Sequence, residues 1–317
     1  MSPEPEKRSV DLVIPVFNEA GVVEQTHTRV CTVIENLPYE FTFYYVDDGS
    51  SDSTVASLES LDDPRVKILA LSRNFGHQAA LTAGMDASQG DIVITMDGDG
   101  QHPPEMIPGM IDLVTQGYDV VQTQRVDEAE PASLKKWTSG LFYRLINAIS
   151  GTRVLPGAAD FRALSRQAVD ALKAMPEYHR FLRGMVSWIG FSIIILPYMP
   201  AERISGISKY SFSKMFRLAM DAIFSFSLMP LYIGLSMGGV LLCLALAEMV
   251  YVLSFWVTGS TSNLAPGWSS LMFVILIVGG ILMVLLGFIG VYVGYIFQEV
   301  KRRPVYLVKK TEKNKHG

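Results

Sequence analysis

The run Thr95-Met96-Asp97-Gly98-Asp99-Gly100-Gln101-His102-Pro103-Pro104-Glu105 holds the densest chemistry in the sequence. Two carboxylates separated by one glycine can offer hard oxygen ligands to a divalent cation, while the absent side chain between them lets a diphosphate approach. Mg²⁺ or Mn²⁺ is the expected ion. Zinc is not supported, because Cys31 is remote in sequence and His102 has no cysteine or second histidine at ligand spacing. Two further clusters suit a nucleotide. Pro15-Val16-Phe17-Asn18-Glu19 supplies a ring that can cover a base and polar groups for its edge or the ribose, and Asp47-Asp48-Gly49-Ser50 supplies carboxylates for ribose hydroxyls or base nitrogens. The chain has neither a Gly-x-Gly-x-x-Gly after the first apolar run nor a Gly-x-x-x-x-Gly-Lys-Ser/Thr, which removes the main support for a dinucleotide dehydrogenase or a P-loop hydrolase. A Gly-x-Ser-x-Gly elbow is also absent.

These clusters need elements to hold them. Short β-rich runs at Val10–Val16, Phe41–Asp47, Val66–Leu71, Asp91–Met96 and Asp119–Gln124 alternate with helical spacing over Glu19–Leu37, Asp52–Leu61, Gln78–Ser88 and Pro104–Thr115. Repeated βα units predict an α/β domain with a mostly parallel sheet covered by helices on both faces. Ligands in such sheets sit beyond the carboxyl ends of the strands. Asn18-Glu19, Asp47–Ser50, Arg73-Asn74 and Asp97-Gly98-Asp99 all fall there.

The rest of the chain points to lipid. Of 317 residues, 49% are hydrophobic and only 18% charged, with a mean hydropathy of +0.27, high for a chain living wholly in water. Between Asp221 and Glu299 the only charged side chain is Glu248. The segments 229–257 and 269–298 each exceed the ~20 residues needed to cross a bilayer, so a two-helix transmembrane hairpin is expected. Basic residues flank its outer ends and are absent from the connector Thr258–Trp268, which places both termini and the βα domain in the cytoplasm. Glu248 would face a helix partner, an interface or a headgroup, and the glycines at 234, 238, 239, 279, 280, 287, 290 and 294 would permit close helix packing within or between chains. The tail from Val300 carries seven basic side chains against one acidic and reads as a juxtamembrane anchor to anionic lipid. The acidic remainder, with an overall pI near 5.8, argues against nucleic acid as a partner. Two cysteines, Cys31 and Cys243, support no disulfide framework, and the polar N-terminus does not read as a secretory signal.

The chain thus divides into a core over 1–125, an extension over 126–228, the two spans within 229–298 and a basic tail over 299–317. The extension contains two basic amphipathic patterns, Leu134–Ile149 and Phe212–Phe226, that would either lie in the membrane interface or pack on the sheet.

Taken in order, Pro15–Glu19, Asp47-Asp48-Gly49-Ser50-x-Asp52, Arg73-Asn74-Phe75-Gly76, Gly84 and Asp97-Gly98-Asp99-x-Gln101-His102-Pro103-Pro104-Glu105 resemble the family-2 inverting glycosyltransferases of the GT-A fold. Gly157-Ala158-Ala159-Asp160-Phe161-Arg162 and Glu202-Arg203-x-x-Gly206-x-Ser208-Lys209-Tyr210, followed by two spans, look like the polyprenyl-phosphate glycosyltransferases. That subgroup includes bactoprenol glucosyltransferases of the GtrB type and dolichol-phosphate mannose synthases. Processive polysaccharide synthases fit less well, since Gln-x-x-Arg-Trp is missing and the spans are few.

The resemblance implies transfer of a sugar from a nucleotide sugar to a polyprenyl phosphate, undecaprenyl or dolichyl, with inversion at the anomeric carbon. It implies UDP-glucose as the leading donor, with GDP-mannose and then other UDP-sugars behind. It also implies that Pro15, Phe17, Glu19, Asp48, Asn74, Gly84, Asp97 and Gly98 line the nucleotide-sugar site, and that Asp97, Asp99 and Gln101 hold the metal. Asp160, Arg125, Arg203 and Lys209 are expected to serve catalysis, Asp160 as a base or an acceptor-orienting group. Arg125, Lys135, Lys136, Arg144, Ser208, Lys209, Lys214 and Arg217 are expected to face the acceptor phosphate and the membrane surface. The acceptor, a phosphate monoester with a second pKa of ~6, is mostly a dianion at neutral pH and needs positioning more than proton removal. Two other readings compete: a nucleotidyltransferase, which would release pyrophosphate from a nucleoside triphosphate, and a non-enzymatic membrane scaffold that only binds nucleotide. The glycines of the spans also suit self-association into a homo-oligomer.

Overall fold

The computed structural model describes residues 8–126, 157–199, 229–257 and 267–309. The two amphipathic patterns, and with them Lys135, Lys136, Arg144, Arg203, Ser208, Lys209, Lys214 and Arg217, lie outside those residues. The described residues form two units, one of 8–126, 157–199 and 303–309 and one of 229–257 and 267–302.

The first unit is a seven-stranded sheet with helices packed on it. In chain order its elements are β1 (Ser9–Val16), α1 (Val23–Ile34), β2 (Glu40–Asp47), α2 (Thr54–Glu59), β3 (Val66–Ala70), α3 (His77–Ala87), β4 (Ile92–Thr95), α4 (Ile107–Thr115) and β5 (Val120–Arg125). A short 3₁₀ turn at Pro104–Met106 leads into α4, where Pro104 has no amide hydrogen to lose. Then follow β6 (Ala158–Ser165), α5 (Arg166–Ala174), α6 (Leu182–Trp188) and β7 (Ile193–Tyr198). The strand order is β3-β2-β1-β4-β6-β5-β7. All neighbours pair in parallel except those of β6, which runs against both β4 and β5.

The first five strands match the apolar runs of the sequence to within a residue or two. β1 is central and covered on both faces, so Val10 to Val16 are all buried and apolar–polar alternation is lost. Phe43, Tyr45, Ile14, Ile94, Met96 and Phe161 fill the core on the α1 and α4 side. The sheet does not stop at residue 125, since β6 and β7 continue it through the segment that the sequence suggested was an extension.

Gly84 fixes how α3 meets the sheet. A methyl group there would come within 2.3 Å of Val13 Cγ1 and 3.0 Å of Val46 Cγ2, so the bare backbone lets the helix lie directly on β1 and β2. The contact the structure gives Gly84, expected from the resemblance among the nucleotide-sugar residues, is this helix-on-sheet packing.

Part of the basic tail pairs with the sheet. Ser72 N donates to Leu307 O at 2.8 Å, Lys309 N donates to Ala70 O at 2.7 Å, and Leu71 bridges Val308 in antiparallel sense. Tyr306 donates its hydroxyl to Asp86 of α3 at 3.0 Å. Residues 306–309 thus pair at the edge next to β3, where exposed strand amides would otherwise invite a foreign strand.

The second unit consists of α7 (Met229–Val257) and α8 (Trp268–Lys301). Within α8, Ile277–Lys301 is 25 residues long and apolar enough to cross a membrane. Leu235, Leu244, Met283 and Val284 are more than half exposed, an arrangement suited to hydrocarbon and costly in water. The two helices touch where Gly234 lies against Leu285, whose Cδ2 a methyl group at 234 would approach to 2.3 Å.

Candidate active site

Four strand ends build one edge. After β2, Asp48 is 4% exposed and turns towards the loop that follows β3. Its Oδ1 accepts from Phe75 N at 2.7 Å and its Oδ2 from Gly76 N at 2.9 Å. Burial raises its pKa against these two amides, which favour the charged form. Gly49 makes the approach of the two loops possible. Its φ is +69°, and a methyl group would meet Arg73 C at 2.4 Å and Asn74 N at 2.6 Å. Gly49→Ala is therefore expected to destabilise the protein by about 1–3 kcal/mol from the left-handed backbone alone, with the clash added. A thermal melt of the purified protein in detergent checks this, and an unchanged melt would show that the two loops need not be this close.

The β1 loop is tied to the same place. Asn18, at φ +53°, donates its backbone amide to Ser50 Oγ at 2.9 Å and accepts from Ser51 N at 2.8 Å. Glu19 N donates to Thr54 Oγ1 at 2.8 Å, and Thr54 in turn donates to Asp52 Oδ1. Pro15 is buried at the end of β1, while Phe17 and Glu19 are half-buried and Asn74 is exposed. Arg73 lies over the Phe75 ring at 4.1 Å, a cation resting on an aromatic face at the rim.

After β4 the Asp97-Gly98-Asp99 turn is held from behind. His102, 5% exposed, stacks on Phe161 at 4.9 Å and accepts the Asp97 backbone N–H on Nδ1 at 2.9 Å. Asp99 Oδ1 accepts from Gln101 N at 3.1 Å. From α1, Thr26 Oγ1 donates to Gly98 O and Arg29 Nη1 to Gly100 O, each at 3.4 Å. A methyl group on Gly98 would strike Val16 Cγ1 at 2.7 Å and Glu19 Oε2 at 2.9 Å, so this glycine lets the turn close on the end of β1. Asp97 keeps 34% of its side chain exposed, and Asp99 and Gln101 are half-buried. Two carboxylates and an amide oxygen, open on one side, fit Mg²⁺ or Mn²⁺.

The reversed strand β6 brings a second carboxylate to this edge. Its start, not its end, lies there, and with Thr95 opposite Arg162 in the register, Asp160 arrives beside Asp97. Asp160 is 5% exposed and gripped on every side. Arg162 Nη2 donates to Oδ1 at 2.5 Å, and Arg183 of α6 donates through Nε to Oδ1 at 3.2 Å and through Nη2 to Oδ2 at 3.0 Å. Gln78 Nε2 donates to Oδ2 at 3.4 Å, and His77 Nε2 lies 3.5 Å from the same oxygen. Burial by itself would push the Asp160 pKa up, but Arg183, His77 and Arg162 outweigh it and hold the carboxyl well below the usual range.

His77 bridges the two aspartates, with Nε2 3.4 Å from Asp97 Oδ1. Desolvation lowers its pKa, yet Asp97 and Asp160 prevail and raise it to about 9. Tyr198 closes the far side from the end of β7, packed edge-on to His102 and Phe161, and burial raises its hydroxyl to about 12.

Pro15, Phe17, Glu19, Asp48, Asn74, Asp97, Gly98, Asp99, Gln101 and Asp160 therefore gather at the carboxyl edge of the sheet. Arg125, exposed at the last position of β5, is across the sheet from β3, with Tyr198 opposite it in β7. Sequence reasoning missed His77, Gln78, Arg183 and Tyr198. The one local hint was that His77 and Gln78 directly follow Arg73–Gly76 at the start of a helix.

Residues 11–173 match the family described as glycosyl transferase family 2. The chain is 39% identical to an uncharacterized glycosyltransferase, YkcC, of Bacillus subtilis, over 95% of this chain and 93% of the relative. It is 37% identical to the bactoprenol glucosyl transferase of Shigella phage SfII, over 96% of this chain and 98% of that one. Among solved structures, mannosyl-3-phosphoglycerate synthase from Rubrobacter xylanophilus shares the fold, with a TM-score of 0.50 and 16% identity over 68% of this chain and 72% of that chain.

Proposed function

The chain belongs to glycosyl transferase family 2, and from that premise we propose that it transfers glucose from UDP-glucose to a polyprenyl phosphate at the cytoplasmic face of a membrane, with inversion at the anomeric carbon. The observation that carries this reading is likeness over nearly the whole length, C-terminal helices included, to a bactoprenol glucosyl transferase. A soluble-acceptor enzyme would have no use for the exposed apolar surfaces of α7 and α8, whereas an acceptor whose tail stays in the bilayer requires the site to be brought to it.

In this reading the loops after β1, β2 and β3 hold the nucleoside. Phe17 covers the base, while Asp48 shapes the Phe75–Gly76 loop rather than reaching outward, since its oxygens already serve those amides. Asp97 and Asp99, with Gln101, would hold Mg²⁺ or Mn²⁺. When bound, the ion neutralises charge on the departing nucleoside diphosphate. Arg203 and Lys209 are assigned to the phosphates on the resemblance of their motif, and Arg125, Ser208, Lys135, Lys136, Arg144, Lys214 and Arg217 to the acceptor and the membrane surface on the same ground.

Asp160 is assigned to orientation. A carboxylate held ionised by two guanidiniums and an imidazolium is a weak base, and a phosphate dianion has no proton that must leave. Its grip holds Arg183 in place and, together with Asp97, keeps His77 charged between the two aspartates. Attack by the acceptor oxygen on the anomeric carbon then forms one C–O bond as the bond to the diphosphate breaks, and the electron pair leaves with UDP. The two-span hairpin, with both termini cytoplasmic, belongs to this proposal.

The test is a donor panel. Purified full-length protein is incubated with polyprenyl phosphate and each of UDP-glucose, GDP-mannose and other radiolabelled UDP-sugars, and label in the organic extract is counted. UDP-glucose should give the highest kcat/KM. Preference for GDP-mannose would replace the donor assignment, and pyrophosphate release from UTP would replace the reaction class.

A further inference from the structure

Away from the candidate active site, three side chains converge where the chain enters β3. His27 and Cys31 are four residues apart on α1 and share one face of that helix. Asp63 reaches them from the turn before β3. His27 Nε2 lies 3.2 Å from Asp63 Oδ2, while Cys31 Sγ lies 3.5 Å from His27 Nε2 and 3.7 Å from Asp63 Oδ2. All three atoms belong to groups that bind transition metals. Bond lengths of ~2.0 Å to nitrogen and oxygen and ~2.3 Å to thiolate, at tetrahedral angles, put the ligand atoms about 3.3 Å apart for the N and O pair and about 3.5 Å apart for each pair with sulfur. The observed triangle has these proportions without any side chain having to move far.

Two further features support the assignment. The His27 ring is fixed from behind: it is 6% exposed, packs edge-on to Phe43 at 4.7 Å, and has Nδ1 3.1 Å from the hydroxyl of the fully buried Tyr45. A hydrogen bond at the other ring nitrogen is what aims a metal-binding imidazole. The triangle also already attracts a cation. Arg65 Nη2 is 2.6 Å from Asp63 Oδ2 and 3.3 Å from Cys31 Sγ, while its Nε holds Asp63 Oδ1 at 2.9 Å. Its side chain is 40% exposed, so Nη2 can swing towards solvent while Nε keeps its grip on the other carboxylate oxygen.

We infer that His27 Nε2, Cys31 Sγ and Asp63 Oδ2 form a three-ligand site for a zinc-class divalent cation, with a fourth position open to solvent and the Arg65 guanidinium as the competing occupant. Spacing in the sequence offers no support for zinc, with Cys31 remote from the Asp97–His102 cluster; the fold instead brings Asp63 to Cys31 and His27. Binding converts the Cys31 thiol to thiolate and releases its proton to water, with no change of oxidation state. Imidazole and thiolate donors separate this site from the all-oxygen set at Asp97 and Asp99, which suits Mg²⁺ or Mn²⁺. The two are also built from different elements, His27 and Cys31 on α1 with Asp63 in the turn before β3, against Asp97 and Asp99 in the turn after β4.

The experiment uses the full-length protein, stripped of metal and then held in excess Mg²⁺ to fill the oxygen site, and titrates it with Co²⁺ as the probe. One equivalent should produce a near-ultraviolet thiolate-to-cobalt charge-transfer band, and Zn²⁺ should displace it. The band should be lost in Cys31→Ser and kept in Cys243→Ser, and Arg65→Met should tighten binding by removing the competitor. His27→Gln should abolish the rise in melting temperature that zinc gives the parent. No band in the parent protein would overturn the assignment without recourse to any variant. A band that survives Cys31→Ser would overturn it equally.

Discussion

Replacement of Asp97 by alanine is expected to lower sugar transfer by about 10²–10³-fold or more, the scale of losing one preorganised electrostatic group. Asp97 has more than one partner to lose. Its backbone amide is pinned by His102, its Oδ1 faces His77 at 3.4 Å, and a third of its side chain stays open on the side where a metal and diphosphate would sit. The fold should survive, because the side chain is at the rim and the turn is held through backbone groups by Thr26, Arg29 and His102. Initial rates with UDP-glucose and polyprenyl phosphate, measured alongside a thermal melt, check both halves. EDTA should impose the same loss on the parent protein, and excess Mn²⁺ should restore it. A variant that transfers at the parent rate would remove Asp97 and the metal from the account together.

Asp160→Asn should damage stability and activity at once. Arg162 is 2% exposed and Arg183 three-quarters buried, and both lean on the one carboxylate. Removing the negative partner of a buried pair typically costs about 3–5 kcal/mol, because a charge is left without compensation. The melt should fall accordingly, and the surviving folded fraction should transfer poorly because Arg183 and His77 are no longer held in place.

The pH dependence separates this role from that of a base. The folded pKa of Asp160 lies well below its unfolded value of ~3.9. Its stabilising contribution is therefore complete above that unfolded value and is lost only as pH falls through the lower folded one. Across the neutral range Asp160 stays ionised, so the acid limb of a pH–rate profile should not move when it is replaced. An acid limb present in the parent and absent in Asp160→Asn would make Asp160 the base after all.

The first half of this fold was legible because its signals are local. β1 to β5 are short apolar runs bounded by Asp, Gly and Pro, and the clusters at Asn18-Glu19, Asp47–Ser50, Arg73-Asn74 and Asp97–Asp99 each follow such a run. β6 was not legible as a strand. Ala158–Ser165 carries Asp160 and Arg162 in an otherwise largely apolar stretch, and their burial rests on pairing with each other and, for Asp160, with Arg183 and His77. Nothing local announces that this strand inserts between β4 and β5 in reverse, yet that reversal is what brings Asp160 to the carboxyl edge.

Residues that serve through distant contacts were hidden for the same reason. Arg183 looks like a solvated charge at the start of a helix until β6 places Asp160 in front of it. Gly84 shows the same dependence on distant contacts, because the sequence does not reveal that it packs on Val13 and Val46. His27 and Cys31 showed helical spacing in the sequence, but Asp63 joins them only once β3 is laid beside β2.

The most direct test of the central claim is a single coupled assay. Purified full-length protein receives radiolabelled UDP-glucose with and without polyprenyl phosphate, and UDP release and organic-phase label are measured in the same sample. Glucose transfer to the lipid phosphate predicts equal amounts of both products, each dependent on the polyprenyl phosphate and on a divalent cation. UDP release at the same rate without the lipid, or acceptor-dependent turnover that leaves no label in the organic phase, would contradict it.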